Sequence, residues 1–435
     1  MHTIILPNEK VTAFLSTKYP ETNTGWRWSV WAVHYAQDGK YVIKHSFSGE
    51  IITLSDEEYT NALNNEELRR RRYVVPNDFD EATKYKEVVG LIKLTNPESE
   101  GLRTYTILPT TACNARCVYC YEEGYAVSTM TQATAERLVD FICETKQEEK
   151  ITLAWFGGEP LVGTKTISFI CNSLAERNVP FRSRMITNGS LFTTEMVKEA
   201  TEIWKLEKVQ VSLDGDRRDY EDRKRYIYPL KDNYDIVMKS IRLLADVGIK
   251  VNLRVNFDRE NIGRLRPFLL EMKERFSEDK NVSLYLSALY QEKEKPYFIE
   301  LEREMFELNR YVRELGINYE NREKIQTSFR LNGCMADALD KTIVIHPDGR
   351  FYDCEHLPEG HSWGNIFDGV TDRELFERLS APHEIDERCA KCPYLPQCTP
   401  FYIKGCPGWF EKCREYMELK TEYELRRIAE TCNQR

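Results

Sequence analysis

The sequence predicts an α/β protein: a partial (βα)6 TIM-like barrel with a smaller strand-and-helix module ahead of it and a loop-rich, cysteine-rich segment behind it. Three observations predict this. From Thr104 to about Leu289, short β-rich runs alternate with helical stretches, as expected of parallel strands joined by crossover helices. The 435 residues, 41% of them hydrophobic, suffice for about three domains of roughly 150 residues each with ordinary buried cores. The 13 cysteines are clustered, with three between Cys113 and Cys120 and seven between Cys334 and Cys413.

Composition excludes several classes of function. Charged residues make up 30% of the chain, and no apolar run approaches the ~18 to 20 residues of a membrane helix, so neither disorder nor a membrane span is expected. Sixty-one Lys plus Arg against 70 Asp plus Glu give a net charge of −9, which argues against a nucleic-acid-coating surface. The opening residues MHTIILPNEKVTAF lack the basic and apolar regions of a secretion signal, and a cytoplasmic location is expected. In that reducing compartment, cysteines serve metal, redox or catalytic chemistry rather than disulfides.

The elements follow in order. Residues 1 to about 95 hold a Trp-rich alternating run from Trp26 to Val33, a second run from Tyr41 to Phe47, a turn at Ser48-Gly49, and then Ser55-Asp56-Glu57-Glu58. That tetrad predicts an N-cap with acidic first-turn residues and one helix running through Leu63 and Leu68. Trp26, Trp28 and Trp31 are expected to pack one sheet face. Arg69 to Arg72 read as a solvated helix end or as a dock for an acidic peptide. Barrel strands are expected at 104–108, 151–156, 181–186, 208–213, 249–256 and 282–288, with helices near 131–147, 164–177, 193–205, 233–247 and 261–276. Chemistry in such barrels sits at the C-terminal strand ends. A charged amphipathic helix is expected at 296–316 and a last helix at 414–431, while Cys143, Cys171 and Cys432 read as small buried hydrophobes.

Directly after the first barrel strand comes TTACNARCVYCYEEG, which places Cys113, Cys117 and Cys120 as C-x3-C-x2-C in one loop. A closed zinc site or a fully protein-ligated 4Fe-4S cluster wants four ligands, so three clustered thiolates leave one metal position open. The string CNARCVYC, with Tyr119 before the last cysteine, resembles the cluster motif of radical S-adenosylmethionine enzymes. The resemblance implies a 4Fe-4S cluster whose open iron binds S-adenosylmethionine and cleaves it to a 5′-deoxyadenosyl radical that abstracts hydrogen. Trp155-Phe156-Gly157-Gly158-Glu159-Pro160 resembles the GGEP segment of that family, where backbone and Glu159 would hold the methionine ammonium. Asn188 and Ser212, at the ends of the third and fourth strands, would hydrogen-bond the methionine or ribose. Arg254 is the candidate fork for the cofactor carboxylate, with Arg225 as its rival.

The second cysteine group, Cys334, Cys354, Cys389, Cys392, Cys398, Cys406 and Cys413, resembles the SPASM extension of radical enzymes that modify peptides and proteins, which houses two auxiliary 4Fe-4S clusters. The segments His346-Pro347-Asp348-Gly349 and Gly364-Asn365-Ile366 share that likeness. By position, Cys389, Cys392, Cys398 and Cys413 would hold the distal cluster, and Cys334, Cys354 and Cys406 the proximal one, which is left one ligand short. An open iron there would suit a substrate thiolate and thioether formation; a protein residue or water are the alternatives. The gap from Cys398 to Cys406 is seven residues where the family usually has three. Glu355 stands where relatives that oxidise Ser or Cys carry a catalytic carboxylate, and it is the candidate general base.

The resulting expectation is an oxidoreductase of the radical S-adenosylmethionine type that oxidises or cross-links side chains of a ribosomally made precursor peptide (a RiPP maturase). The resemblance divides the chain into a winged-helix-like peptide-recognition module at 1–95, a barrel at 100–295, a bridging helix at 296–330, a SPASM domain at 331–415 and a C-terminal helix at 416–435. The first module would take the leader peptide as an added strand on a sheet edge. An electron donor such as flavodoxin or ferredoxin is implied, and neither nucleic acid nor membrane is an expected partner. The alternatives are a sulfatase-type maturase making formylglycine and a non-catalytic iron-sulfur or zinc protein.

Overall fold

The computed structural model describes residues 1–15, 24–95, 101–147, 149–228, 232–318, 341–355, 362–380, 385, 387–398 and 412–433. They fall into two compact units: unit 1 gathers the described residues of 1–98 and 382–435, and unit 2 those of 99–322 and 335–381. Among the described residues no helix is long and apolar enough to cross a membrane.

Unit 1 is built on a four-stranded sheet. Its strands β1 (His2–Ile5), β3 (Ala32–Gln37), β4 (Lys40–His45) and β5 (Ile51–Ser55) lie in the order β1-β5-β4-β3, while β2 (Trp26–Trp28) pairs separately with β6 (Val74–Pro76). The run from Trp26 to Val33 is therefore broken between two sheets rather than forming one strand. The cause is the buried carboxylate of Glu81, which accepts from Ser29 Oγ at 2.6 Å and Val30 N at 2.8 Å and turns the chain between the strands. Trp26 and Trp28 consequently pack against Ile52, Leu54 and Tyr73, whereas Trp31 joins a different core with Phe47 and Tyr85.

The helix expected after Ser55 is also divided. Ser55 and Glu58 form the capping box of a helix at Asp56–Thr60, a 3-10 turn follows at Ala62–Asn64, and Asn65 caps a second helix at Glu66–Arg70. The asparagines at 61, 64 and 65 offer the backbone local hydrogen bonds that compete with a continuous helix. Of the arginine run, Arg71 pairs with Glu50, and Arg72 is buried with Nε donating to Leu15 O at 2.9 Å. Both are committed to the fold, which leaves little of the run for an acidic partner.

Both chain ends build this unit. The helix Cys413–Asn433 lays Leu425, Ile428 and Ala429 against Val42 and Ile51. Glu424 on that helix meets Lys44 of β4 at 2.7 Å, with side-chain exposures of only 5% and 3%.

Unit 2 carries the parallel sheet. Its strands are β7 (Thr104–Ile107), β8 (Ile151–Trp155), β9 (Phe181–Thr187), β10 (Leu206–Leu213), β11 (Lys250–Phe257) and β12 (Val282–Ala288). They pair in parallel in chain order with helices between them, and the large parallel-rich sheet is consistent with the expected TIM-like fold. Val251, Leu253, Val255 and Phe257 of β11 enter a core shared with Leu138, Ile241, Phe268 and Met272 of the covering helices. Asn252, Arg254 and Asn256 alternate with them and point to the opposite, inner face.

The strands expected from the sequence end at β12. In the structure β13 (Thr342–Ile345) returns to pair in parallel with β7, and β14 (Arg350–Tyr352), β15 (Gly364–Asn365) and β16 (Gly369–Val370) extend it as an antiparallel meander. The turn into β14 ends at Gly349, whose φ of +87° favours glycine and where a Cβ would lie 2.9 Å from Ile366.

Candidate active site

The loop after β7 carries the first three cysteines and is tied down at its base. Thr110 Oγ1 donates to Ser128 O at 2.9 Å, Thr111 Oγ1 donates to Ala126 O at 2.9 Å, and Thr110 pairs with Thr129 in an isolated antiparallel bridge. Cys113, Cys117 and Cys120 stand half-buried on the loop, with Cys120 N donating to Cys117 O at 3.1 Å. Burial pushes the Cys113 thiol up to about 12. Burial also raises Cys117, against the pull of Lys224, and raises Cys120. Among the described residues no three His, Cys, Asp or Glu side chains surround a single ion. Three thiols on one wrapping loop suit instead a cuboidal cluster, whose corners are spread and where binding displaces the thiol protons.

The end of β8 fastens onto this loop. A Cβ on Gly157 would lie 2.3 Å from Thr110 O, and one on Gly158 would lie 2.4 Å from Thr111 O and 2.6 Å from Ala112 O. Only glycine permits that approach. Glu159 N completes it by donating to Ala112 O at 3.0 Å. The Glu159 carboxylate is itself buried: Oε1 accepts from Thr187 Oγ1 at 2.6 Å and Leu161 N at 3.1 Å, and Oε2 from Asn188 N at 2.8 Å. It joins the ends of β8 and β9 and leaves Oε2 one further acceptor position. Burial raises its carboxyl above the usual range despite these donors.

Asn188 continues the chain of contacts. Its Nδ2 donates to Asn114 Oδ1 of the cysteine loop at 2.8 Å, while its Oδ1 accepts from Ser190. Ser212 and Arg254 are register neighbours on β10 and β11, both on the inner face. Arg254 Nε is buried with no hydrogen-bond partner among the described residues. A buried, unpaired guanidinium nitrogen is costly, and a planar carboxylate is the natural group to satisfy it. Arg225, the rival, is exposed instead.

A polar lock beneath the loop is absent from the sequence-based expectations. Asp214, fully buried after β10, accepts from Tyr119 Oη at 2.7 and 2.8 Å and from Asn256 Nδ2 at 3.0 Å, with Lys224 Nζ 3.7 Å away. Burial opposes the charge on Lys224, yet Asp214, Tyr119 and Cys117 together hold its pKa well above the ordinary value. Gln291, beyond β12, donates to Tyr119 O at 2.8 Å. The strand ends of β8 to β12 thus converge on one cysteine loop. The Tyr before the third cysteine and the Asp of Ser212-Leu213-Asp214-Gly215 were the available signals.

Cys354 follows β14, buried, with its Sγ 4.0 Å from Glu355 Oε2. Both act electrostatically on Tyr121, whose hydroxyl is raised first by burial and then by Glu122, Glu355, Cys120 and Cys354. Glu122, unremarked in the sequence, is pushed up to about 7 by burial.

In unit 1, Cys389, Cys392 and Cys398 sit in or against the core of Val11, Leu15, Trp31, Tyr85 and Val88. Burial raises Cys392, and Cys413 adds to the rise. Cys334 and Cys406 lie outside the described residues. Cys171 and Cys143 belong to the core of unit 2 as buried and partly buried apolar groups.

Comparison with known proteins follows the same lines. Residues 107–271 match the Radical SAM superfamily. Fe-coproporphyrin III synthase of Methanosarcina barkeri is 28% identical over 153 residues, 35% of this chain and 36% of that protein. A probable GTP 3′,8-cyclase of Methanocella arvoryzae is 32% identical over 33% of this chain and 45% of its own length, so the match spans less than half of either relative. AdoMet-dependent heme synthase of M. barkeri is 22% identical over 67% of this chain and 88% of its own. Among solved structures, anSMEcpe with bound AdoMet superposes with a TM-score of 0.59 at 17% identity, covering 76% of this chain and 99% of that one. Streptococcus suis SuiB bound to the precursor peptide SuiA gives 0.54 at 13% identity, covering 88% and 98%. Residues 107–271, which hold the cysteine loop and the ends of β8 to β11, are therefore a radical SAM superfamily domain.

Proposed function

We propose that this chain is a radical S-adenosylmethionine maturase that oxidises or cross-links side chains of a precursor peptide. The observation that carries the reading is the inner face of unit 2, where the Cys113–Cys117–Cys120 loop is zipped to Gly157 and Gly158, with the unpartnered Nε of Arg254 on the same sheet. When bound there, a 4Fe-4S cluster and S-adenosylmethionine would supply a carbon-centred radical able to take a hydrogen atom from substrate. Arg254 would grip the cofactor carboxylate, Glu159 Oε2 its ammonium, and Ser212 and Asn188 its remaining polar groups.

Cys354 and Glu355 stand within electrostatic reach of Tyr121, one residue beyond Cys120. There Glu355 would accept the proton that a substrate side chain loses on oxidation. The second cysteine group would hold two auxiliary clusters of a SPASM domain, one of them on Cys389, Cys392, Cys398 and Cys413 of unit 1. Two fold neighbours were solved with peptides, SuiB with SuiA and anSMEcpe with Cp18Cys, which supports a peptide substrate here. In unit 1, β3 pairs only with β4 among the described strands, so its other edge would take a leader peptide as an added strand.

The test is anaerobic reconstitution with counts of iron and sulfide and an assay for dithionite-dependent 5′-deoxyadenosine. About twelve iron per chain with deoxyadenosine is expected for three cubane clusters. Zinc without deoxyadenosine overturns the reading in favour of a non-catalytic metal protein.

A further inference from the structure

The cysteine loop is one strand of a short ribbon. Arg116 N donates to Arg225 O at 2.7 Å, Val118 N to Arg223 O at 3.1 Å and Ile227 N to Asn114 O at 2.9 Å, with Ala115 and Tyr226 paired antiparallel. Alternation sorts the side chains of such a ribbon between two faces. Ala115 and Lys224 turn inward and are each 4% exposed. Arg116, Val118, Arg225 and Ile227 turn outward, with Val118 47% and Ile227 43% exposed, and Tyr228 beyond them is 82% exposed.

The outward face is apolar and basic on a chain whose net charge is −9. Among the described residues, no ion pair neutralises Arg116 or Arg225. Glu221 and Asp222, on the helix leading into the ribbon, are matched to Arg217 at 3.7 Å and Arg218 at 3.8 Å. Arg116 donates only to the carbonyls of Cys113 and Ala115, and Arg225 has no ion pair among the described residues. Exposed apolar side chains between two uncompensated cations form a surface suited to a protein that carries matching acids around an apolar centre.

Resting on the function proposed above, we propose that this ribbon face docks an acidic one-electron carrier protein, such as a reduced flavodoxin. The chemistry that Cys113, Cys117 and Cys120 would support begins only once one electron has entered from outside the chain. The carrier is oxidised by one electron and the site is reduced by one, with no bond made or broken. Docking on the ribbon brings the carrier onto the backbone of the cysteine loop itself, because Arg116 and Val118 flank Cys117 in sequence. The local positive charge orients an acidic carrier on a chain that otherwise repels it.

The probe is an acidic flavodoxin in its reduced state, mixed with the reconstituted full-length chain. Two quantities are read: flavodoxin binding across a salt series, and the rate of 5′-deoxyadenosine formation driven by flavodoxin or by dithionite. Arg225→Glu and the pair Ile227→Ser with Tyr228→Ser are each expected to weaken binding about tenfold. Arg225→Glu should also flatten the salt dependence. Dithionite-driven formation should stay within about twofold of the parent, because these side chains face away from the inner sheet. Unchanged flavodoxin binding and flavodoxin-driven rate in the combined variant overturn the proposal. So does a parent chain that shows no salt-sensitive flavodoxin binding, or a variant set that loses peptide binding in place of flavodoxin binding. A parent inactive with dithionite overturns the proposed function instead, while the binding series still decides the docking face.

Discussion

The two units hold their cysteines in contrasting ways. In unit 2 the loop of Cys113, Cys117 and Cys120 is fixed by polar and backbone contacts that do not involve its sulfurs: the Thr110 and Thr111 hydroxyls, the glycine pair of β8, and the Tyr119–Asp214–Asn256 lock. In unit 1 Cys389, Cys392 and Cys398 pack in or against the apolar core, beside Tyr394, Leu395 and residues from the first 92 positions. A loop with its own scaffold keeps its shape whether or not a metal is present. A core that includes thiols would couple any metal they hold to folding.

The largest effect expected is at the first loop. Replacing Cys113, Cys117 and Cys120 by Ala should abolish deoxyadenosine formation and lower iron by about four per chain, while thermal unfolding of unit 2 changes little. Cys392→Ala should do the reverse, leaving dithionite-driven cleavage in place and loosening unit 1 to proteolysis. Equal destabilisation by the two changes would break the contrast.

Next is the joint between the two chain ends in unit 1. Lys44 and Glu424 are nearly inaccessible, and removing one member of a buried pair strands the other charge, at a cost of about 3–5 kcal/mol. Lys44→Ala should therefore detach the C-terminal helix in denaturant titrations, whereas Lys44→Met with Glu424→Leu should restore most of the loss. A single variant as stable as the parent would remove this pair from the account of unit 1.

Acid should separate the units further. His45 is fully buried in unit 1, with Nδ1 accepting from Ser48 N at 3.1 Å and Nε2 placed 3.2 Å from Arg72 O, and burial lowers it to about 4. The unfolded chain then binds the proton first. Stability is full above pH ~6.5 and falls as pH drops toward 4, by about 3 kcal/mol in all. Unit 2 has an opposing group: burial in the helix Phe298–Glu314 raises Glu302 to about 7. Its carboxyl stays protonated in the fold, so stability is lost as pH rises from about 4.5 to 7 and is regained in acid. The effect offsets His346 of the same unit, which burial lowers to about 4. Hydrogen exchange at pH 7 and pH 5 should show protection falling more in unit 1 than in unit 2, and His45→Gln should reduce that fall.

The parallel sheet was legible because each strand alternates over five or more residues or ends on a punctuated turn; the expected run 282–288 and the strand Val282–Ala288 coincide. The strand β13 was not legible. Thr342–Ile345 is four residues long and finds β7 across more than two hundred positions, a pairing that no local pattern encodes. The cysteine loop was legible from spacing alone. The lock at Asp214 was not, because it needs Tyr119 of the cysteine loop, Lys224 at the end of a helix and Asn256 on β11 brought together. In unit 1 the tryptophan alternation misled because Glu81, some fifty residues on, redirects the chain at Ser29.

The smallest expected effect tests the break in the first helix, where a local signal prevailed over apolar spacing. Asn65 Oδ1 accepts from Glu67 N at 2.9 Å and Leu68 N at 3.1 Å, satisfying two donors that a helix start leaves bare. Asn65→Ala should cost about 1 kcal/mol, and Asn65→Asp, an equally good cap that also suits the helix dipole, should cost almost nothing. The consequence reaches the core through Leu68, which is fully buried against Ile43, Ile52 and Tyr73. If Asn65→Ala instead stabilised unit 1, the two short helices would have merged into the single helix that the spacing of Leu63 and Leu68 favours. The break would then be a frustrated element rather than one the cap selects.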